Sequence, residues 1–494
     1  MKRPASSRTR NDVTQDWRRV RSALKDDGKN KFQKAKMNRN GKPRVVVMGA
    51  GFGGLWAARN LAKQPVEVLI VDRNNYHTFL ALLYQVAAAE LEAEDIAYPV
   101  RSIISNFPNV DFVLAHARRI DLQNRVIETD GEAISYDYLI LATGSITHSF
   151  GIPGVEAYAY CLKTLEEAVA LKNHIICCFE GAARETDEVR RKALLTFVIV
   201  GGGATGVEYA GALSELVRGP LVRDYRTIDF REVRIIILEA ADSLVANMPA
   251  SVRGYTLERL KKMGVDVHLG AKVLEVAPDA VILSGQDHIS SRTVVWTAGV
   301  KGELIANLSG LTTERGGRVP VLPTLQAPGH PEIYVVGDMA SIRENGRVLP
   351  MVAQVAIQSA VAAAQNILRQ IEGKTLQPFR YRDRGAMITI GRNTAGVAIG
   401  SRTYTGFFAW ILWLVIHLFN LIGFRNRMMV LINWAWDYLL YERAVRFVFP
   451  SEMPFLTRSS SCPRGSGLEN DRPEGNGLRP QTGRGKNSRN CQTL

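Results

Sequence analysis

Apolar residues in this chain fall into short, nearly unbroken runs separated by stretches of helical period. Residues 44–48 (RVVVM) and 66–71 (VEVLIV) are two such runs, and residues 55–63 between them read as a helix. The same order returns at residues 196–200 (TFVIV) and 233–238 (VRIIIL). Three further runs end in turn residues: 138–144 (YLILATG), 296–300 (WTAGV) and 333–340 (IYVVGDMA). Runs that are apolar throughout, rather than alternating, belong to strands covered on both faces, so the pattern predicts parallel sheets flanked by helices. One strand–helix–strand unit is expected to occur twice.

The junctions between strand and helix carry the first chemistry. After the first run comes Gly49-Ala-Gly51-Phe-Gly53-Gly54, and the second run leads into Asp72, 23 residues beyond Gly49. This is a dinucleotide-binding arrangement: Gly49 for the tight turn, Gly51 for close approach of a pyrophosphate to the backbone, Gly54 for packing helix on strand, and Asp72 for an adenosine ribose. The second copy offers Gly201, Gly203 and Gly206, then Glu239 after 38 residues, which predicts a longer helix or an inserted turn around residues 218–230. Two units imply two dinucleotides, and Glu239 would repel a 2′-phosphate, favouring NADH over NADPH.

Composition narrows the class. At 494 residues, 46% hydrophobic and 22% charged, the chain is not disordered, and its length suggests about three domains. The net charge of +14 suggests nucleic acid until it is located: residues 1–43 hold 14 Lys/Arg against 4 Asp/Glu and residues 452–494 hold 7 against 4, leaving 41 against 40 between them. The basicity belongs to flexible ends, and no nucleic-acid partner is expected. Cys161, Cys177, Cys178, Cys462 and Cys491 lack both a disulfide framework and the CxxC or CxxxxC spacing of a redox pair. No His/Cys cluster has metal-ligand spacing, so no metal is expected.

Three segments make a family resemblance specific. The YLILATG run with Gly144, the WTAGV run with Ala298 and Gly299, and the IYVVGDMA run with Gly337 and Asp338 resemble the remaining cofactor contacts of two-dinucleotide-binding flavoproteins. Residues 349–358 (LPMVAQVAIQ) look like the AQxAxQ motif of type II NADH dehydrogenases, the single-subunit NADH:quinone oxidoreductases. The resemblance runs from about residue 44 to 450 and includes residues 78–87 (TFLALLYQVA) and 385–400 (GAMITIGRNTAGVAIG). It implies FAD in the first unit, NADH in the second and a quinone acceptor beside Ala353, Gln354 and Gln358. Glu208 would position the nicotinamide side or help supply protons. Pro350 suits the first turn of a helix, and Gln354 and Gln358 share one face of it. No segment resembles a proton channel, so hydride transfer and two-electron quinone reduction are expected without pumping. The alternatives are a sulfide:quinone-type or other flavoprotein oxidoreductase, which Cys161 would suggest, and a flavin-containing binding scaffold with basic termini.

The C-terminal region supplies a membrane contact. Residues 407–424 carry no formal charge, 18 positions at the lower limit for a bilayer span. In a continuous helix Trp413, His417, Asn420, Phe424 and Arg427 would form a polar seam. A second apolar stretch, 428–441, places Asn433 and Asp437 on one face and precedes Arg443 and Arg446. Such Trp-rich, Arg-flanked helices predict a platform pressed into one leaflet; a true span and a soluble dimer core are the alternatives. Deletion from Phe407 onward is expected to release the chain from membranes with FAD still bound.

The expected fold is therefore α/β, with two Rossmann-like dinucleotide-binding domains (FAD and NAD) plus a C-terminal membrane-associating helical region. Its segments are a basic extension (1–43), the FAD domain in two parts (44–160 and 306–380, the latter with the quinone-site helix), the NADH domain (161–305), the membrane-anchoring region (381–451) and a tail (452–494). Expected partners are NADH, a membrane quinone, the lipid surface and a second copy in a homodimer, at the cytoplasmic face of the inner membrane.

Overall fold

The computed structural model describes residues 41–440 except 286, together with Arg446, and gives the backbone alone at 437–440. The basic extension before residue 41, Tyr441, Arg443, the tail with Cys462 and Cys491, and the Asp437 side chain lie outside the described residues.

The chain begins with β1 (Arg44–Met48), α1 (Phe52–Leu61), β2 (Glu67–Asp72), β3 (Val110–Leu114) and β4 (Tyr138–Leu141). A second unit follows: β5 (Tyr160–Cys161), α2 (Leu165–Ala182), β6 (Thr196–Val200), α3 (Ala204–Arg218), β7 (Arg234–Glu239), β8 (Val265–Leu269) and β9 (Thr293–Trp296). The chain then returns to the first with β10 (Gln326–Ala327), β11 (His330–Val335) and α4 (Ala353–Ile371). It ends in a small sheet, β12 (Ala386–Thr389), β13 (Ala395–Ile399) and β14 (Arg402–Gly406), and two helices, α5 (Phe407–Asn420) and α6 (Phe424–Leu440).

The first sheet has the order β10-β11-β4-β1-β2-β3, and only the β10–β11 pairing is antiparallel. The second, β5-β9-β6-β7-β8, is parallel throughout. In each, the chain leaves a central strand in one direction and later returns to its other side. The resulting crevices, between β1 and β4 and between β6 and β9, are where open α/β sheets bind ligands. Both glycine turns open into these crevices. The long spacing in the second unit has the expected cause: α3 runs 15 residues and a further turn of helix, Pro220–Asp224, follows it.

Two expectations at the C-terminal side change. α4 starts at Ala353 behind Val352, so Pro350 precedes the helix and does not occupy its first turn. The apolar stretch 407–424 is also not one helix: the chain breaks at residues 421–423, with Gly423 at φ +90°. A side chain there would run into the Tyr98 ring as well as adopt a left-handed conformation. Phe424 and Arg427 therefore belong to α6, and the polar seam stops at Asn420. No helix among the described residues is long and apolar enough to cross a membrane.

These helices are built into the molecule rather than appended to it. Trp410, Trp413, Leu421, Val430 and Trp434 are buried in the same core as Phe179, Phe197 and Tyr209 of the second unit. α6 is also fastened by polar contacts. Asn426 Nδ2 donates to the carbonyls of Glu94, Asp95 and Ala97 at 2.9–3.0 Å, and Asn433 Nδ2 donates to Asp95 Oδ2 at 2.7 Å. Removal from Phe407 onward would therefore expose core, and the expectation of an intact, FAD-loaded remainder is not what this packing favours.

Candidate active site

The two glycine turns solve one steric problem twice. Gly49 (φ +101°) and Gly201 (φ +111°) press against the backbone at residues 142–143 and 297–298, at the ends of the strands across each crevice. A Cβ on Gly54 would collide with the Gly49 carbonyl, and one on Gly206 with that of Gly201. Gly51 and Gly203, by contrast, face open space at the N-termini of α1 and α3. Bare backbone, a helix N-terminus and an unfilled volume are what a pyrophosphate requires.

The acids at the strand ends are pre-set by the same turns. Asp72 accepts from the Ala50 N–H at 2.6 Å and the Asn74 N–H at 2.8 Å. Glu239 accepts from Gly202 N–H at 2.5 Å and Ala241 N–H at 2.8 Å. Burial raises the Asp72 pKa, and its backbone hydrogen bonds oppose that shift.

Most candidate residues share one cavity of about 2350 Å³. Gly49, Gly51, Asp72, Gly144, Gly337 and Asp338 line its first part. Asp338 accepts a 2.5 Å hydrogen bond from Ser145 Oγ and lies 3.7 Å from Lys163 Nζ. Glu208, Ala353, Gln354 and Gln358 line the rest. Gly54, Gly201, Gly203, Gly206, Glu239, Ala298 and Gly299 are not on its wall. Gly54 packs behind the first glycine turn, and the other six belong to the second crevice, from which α3 carries Glu208 into the shared space.

Glu208 is the most perturbed group there. Protein surrounds its carboxyl except toward the cavity, and the Thr389 N–H is a distant donor at 3.4 Å. Burial pushes its pKa up to about 8, so it is neutral at pH 7 and able to donate. A small polar chamber behind it, lined by Tyr84, Gln85, Glu215, Thr389, Arg392 and Trp434, has room for about one water. Its wall is a hydrogen-bonded chain. Trp434 Nε1 donates to Gln85 Oε1 (3.0 Å), Gln85 Nε2 to the Tyr84 hydroxyl (3.1 Å), and that hydroxyl pairs with Thr389 Oγ1 (3.0 Å). Residues 84, 85 and 389 fall in the segments TFLALLYQVA and GAMITIGRNTAGVAIG, whose chemistry sequence reading left blank.

The two glutamines are on one face of α4, and both amides are engaged. Gln354 donates to Gly385 O (2.9 Å) and accepts from Arg384 N–H (3.2 Å). Gln358 donates to Arg382 O (2.9 Å) and accepts from Arg382 N–H (3.0 Å). They stitch residues 382–385 to the cavity wall. Cys161 is on the wall too, but burial pushes its thiol up to about 11, so it is no thiolate. Cys177 and Cys178 are buried in α2. Sequence reasoning gave no role to Lys163, Tyr84, Gln85, Thr389 or His417, although His417 stood in the noted polar seam.

Two Rossmann-like units sharing a cavity define a class, and the sequence agrees: residues 43–360 match the pyridine nucleotide-disulphide oxidoreductase family, to which the chain belongs. It is 38% identical to the type II NADH:quinone oxidoreductase Ndh of Mycobacterium tuberculosis, over 81% of this chain and 89% of that one. At that likeness it stands, within the family, among the type II NADH:quinone oxidoreductases. The fold resembles that of NDH2 from Plasmodium falciparum in complex with NADH (TM-score 0.76, 18% identity, 81% of this chain and 99% of that one). It also resembles the sulfide:quinone oxidoreductase of Aquifex aeolicus (TM-score 0.64, 19% identity, 81% and 96%).

Proposed function

We infer that this chain oxidises NADH and reduces a quinone, with FAD as resident cofactor. The observation that carries the reading is the single cavity joining the first glycine turn, Glu208 of the second unit and the Gln354/Gln358 face of α4. FAD supplies the redox chemistry when bound, taking a hydride from NADH and giving up two electrons. Gly49, Gly51, Asp72, Gly144, Gly337, Asp338 and Ala353 would hold it, and the open turn with its helix N-terminus fits the group.

NADH would lie along Gly201, Gly203 and Gly206 with its ribose at Glu239, past Ala298 and Gly299, its nicotinamide reaching the cavity near Glu208. Glu208, neutral and largely enclosed, holds a proton at its carboxyl beside the reacting groups. Gln354 and Gln358 fix the 382–385 segment and so shape the acceptor end. The protein contributes alignment, a partly enclosed site and a placed proton. A sulfide-type reaction finds no support in a protonated Cys161 without a second cysteine beside it among the described residues.

The exposed faces of α5 and α6, with Phe408, Phe419 and Phe424 all at least 75% exposed, suit a lipid surface. Peripheral attachment at the cytoplasmic face of the inner membrane, and a homodimer, complete the proposal. The purified yellow protein should contain about one FAD per chain and oxidise NADH with a soluble quinone as acceptor. FMN instead of FAD, or NADH oxidation that no quinone accelerates, would overturn it.

A further inference from the structure

Helix α5 has a second face that membrane contact does not explain. Ile416, His417 and Asn420 line the same cavity as Gln354 and Glu208. Going round the helix, His417 lies roughly 160–180° from Phe408, Val415 and Phe419, which are 84%, 60% and 75% exposed. The helix is therefore a partition, with its apolar stripe outside and His417 inside. Asn420 is both exposed and on the cavity wall, so the cavity opens at the C-terminal end of α5.

His417 is held firmly. Nδ1 sits 2.8 Å from the Trp413 carbonyl oxygen. A carbonyl can only accept, so Nδ1 carries the hydrogen and Nε2 presents a lone pair. The ring stacks on the Trp413 indole at 4.0 Å, and Phe79 meets it edge-on at 6.2 Å. Nε2 has no hydrogen-bond partner among the described residues, and it is not sealed off as His77 Nε2 is. It is an oriented acceptor that no described residue uses. Burial lowers the His417 pKa to about 4, which keeps that lone pair free at neutral pH.

A quinone ring offers carbonyl acceptors, with which a lone pair makes no hydrogen bond. A quinol offers hydroxyl donors. We propose that His417 Nε2 accepts a hydrogen bond from the hydroxyl of the quinol product, so that the inner face of α5 is a product-recognising subsite that reaches the surface beside Asn420. The imidazole holds that hydroxyl without taking its proton. This rests on the quinone-reductase reading, and it adds a group that distinguishes the two redox forms of the acceptor.

The test uses the holoenzyme and duroquinol, tetramethyl hydroquinone. Anaerobic calorimetry measures its binding to wild type, His417→Phe, which keeps ring stacking, and His417→Gln, which restores an acceptor at similar reach. The Phe variant should bind duroquinol roughly 5- to 20-fold more weakly, the range for one net hydrogen bond in an enclosed site. The Gln variant should recover most of the loss. In turnover, product inhibition should weaken by the same factor while KM for duroquinone changes by less than about threefold. NADH–ferricyanide activity should be unchanged in a folded variant. Independently of any mutant, the dimethyl ether of duroquinol should lose in wild type what the Phe variant loses with the quinol. Equal quinol binding by wild type and Phe variant, or quinol and ether bound alike by wild type, would overturn the proposal. So would equal weakening of quinone and quinol, which marks a packing role. Wild type that reduces no quinone would instead overturn the functional reading beneath it.

Discussion

Replacing Glu208 by glutamine removes a titration while keeping the side chain's shape, and the consequence for stability can be worked out. Burial raises the folded-state pKa from the ordinary 4.5 to about 8. Between those values the native protein holds a proton that the unfolded chain has released. The associated stability is therefore fully present below pH 4.5 and is lost as pH rises through about 8. The slope is about 1.4 kcal/mol per pH unit, giving up to about 5 kcal/mol across the interval, reduced by whatever water reaches the carboxyl from the cavity. Because every other titrating group is common to both proteins, Glu208→Gln should gain stability over wild type as pH rises from 5 to 8 and change little beyond 9. Urea unfolding of both holoenzymes at half-unit pH steps, followed by tryptophan emission, measures the difference. A difference that is flat over this range would refute the reasoning, because the carboxyl would then be ionised and solvated near pH 4.5 in the native state too.

Three further outcomes follow from the site. Gln354→Leu frees Gly385 O and Arg384 N–H from their amide partner and should slow quinone-dependent reoxidation roughly 5- to 150-fold; flavin reduction by NADH, followed by stopped flow, should stay near normal, and equal slowing of both half-reactions would place the motif elsewhere. Glu239→Gln keeps an acceptor for the Gly202 N–H but removes the charge facing a 2′-phosphate, so the NADH-to-NADPH ratio of kcat/KM should fall at least about fivefold; an unchanged ratio would remove Glu239 from nucleotide choice. Phe408→Asp with Phe419→Asp puts two charges on the outer stripe of α5 and should shift the protein from sedimenting vesicles to the supernatant without loss of bound FAD. Persistent sedimentation would assign the membrane contact to another part of the chain.

The features legible in the sequence are those with local causes. Gly49, Gly54, Gly201 and Gly206 announce themselves because only glycine fits the turns they make, and Asp72 and Glu239 because they end the next strand of each unit. The break at 421–423 was harder to see: Gly423 is one residue in an apolar run, and what requires it is the Tyr98 ring, 325 positions away in the chain. Long-range pairings were not legible at all. Trp434, Gln85, Tyr84 and Thr389 form one chain beside Glu208, yet each alone looks like an ordinary strand or helix residue. The hydrogen bonds of Gln354 and Gln358 belong to the same group. Sequence spacing placed both on one face of α4, but their partners are backbone atoms whose position depends on the whole C-terminal segment.

The fastening of α6 bears on how the proposed membrane contact could be removed without losing the enzyme. Asn426, Asn433 and Trp434 tie the helix to residues 85–97, and Trp413 and Trp434 fill the interior beside the second unit. Unfolding of the C-terminal helices and melting of the catalytic body should then occur as one cooperative event, leaving no stable domain behind when the helices are cut away. An engineer wanting a detergent-free enzyme should accordingly repaint the outward residues of α5 and α6 with polar side chains, because on this molecule the greasy surface is the back of the structural timber that holds the active site upright.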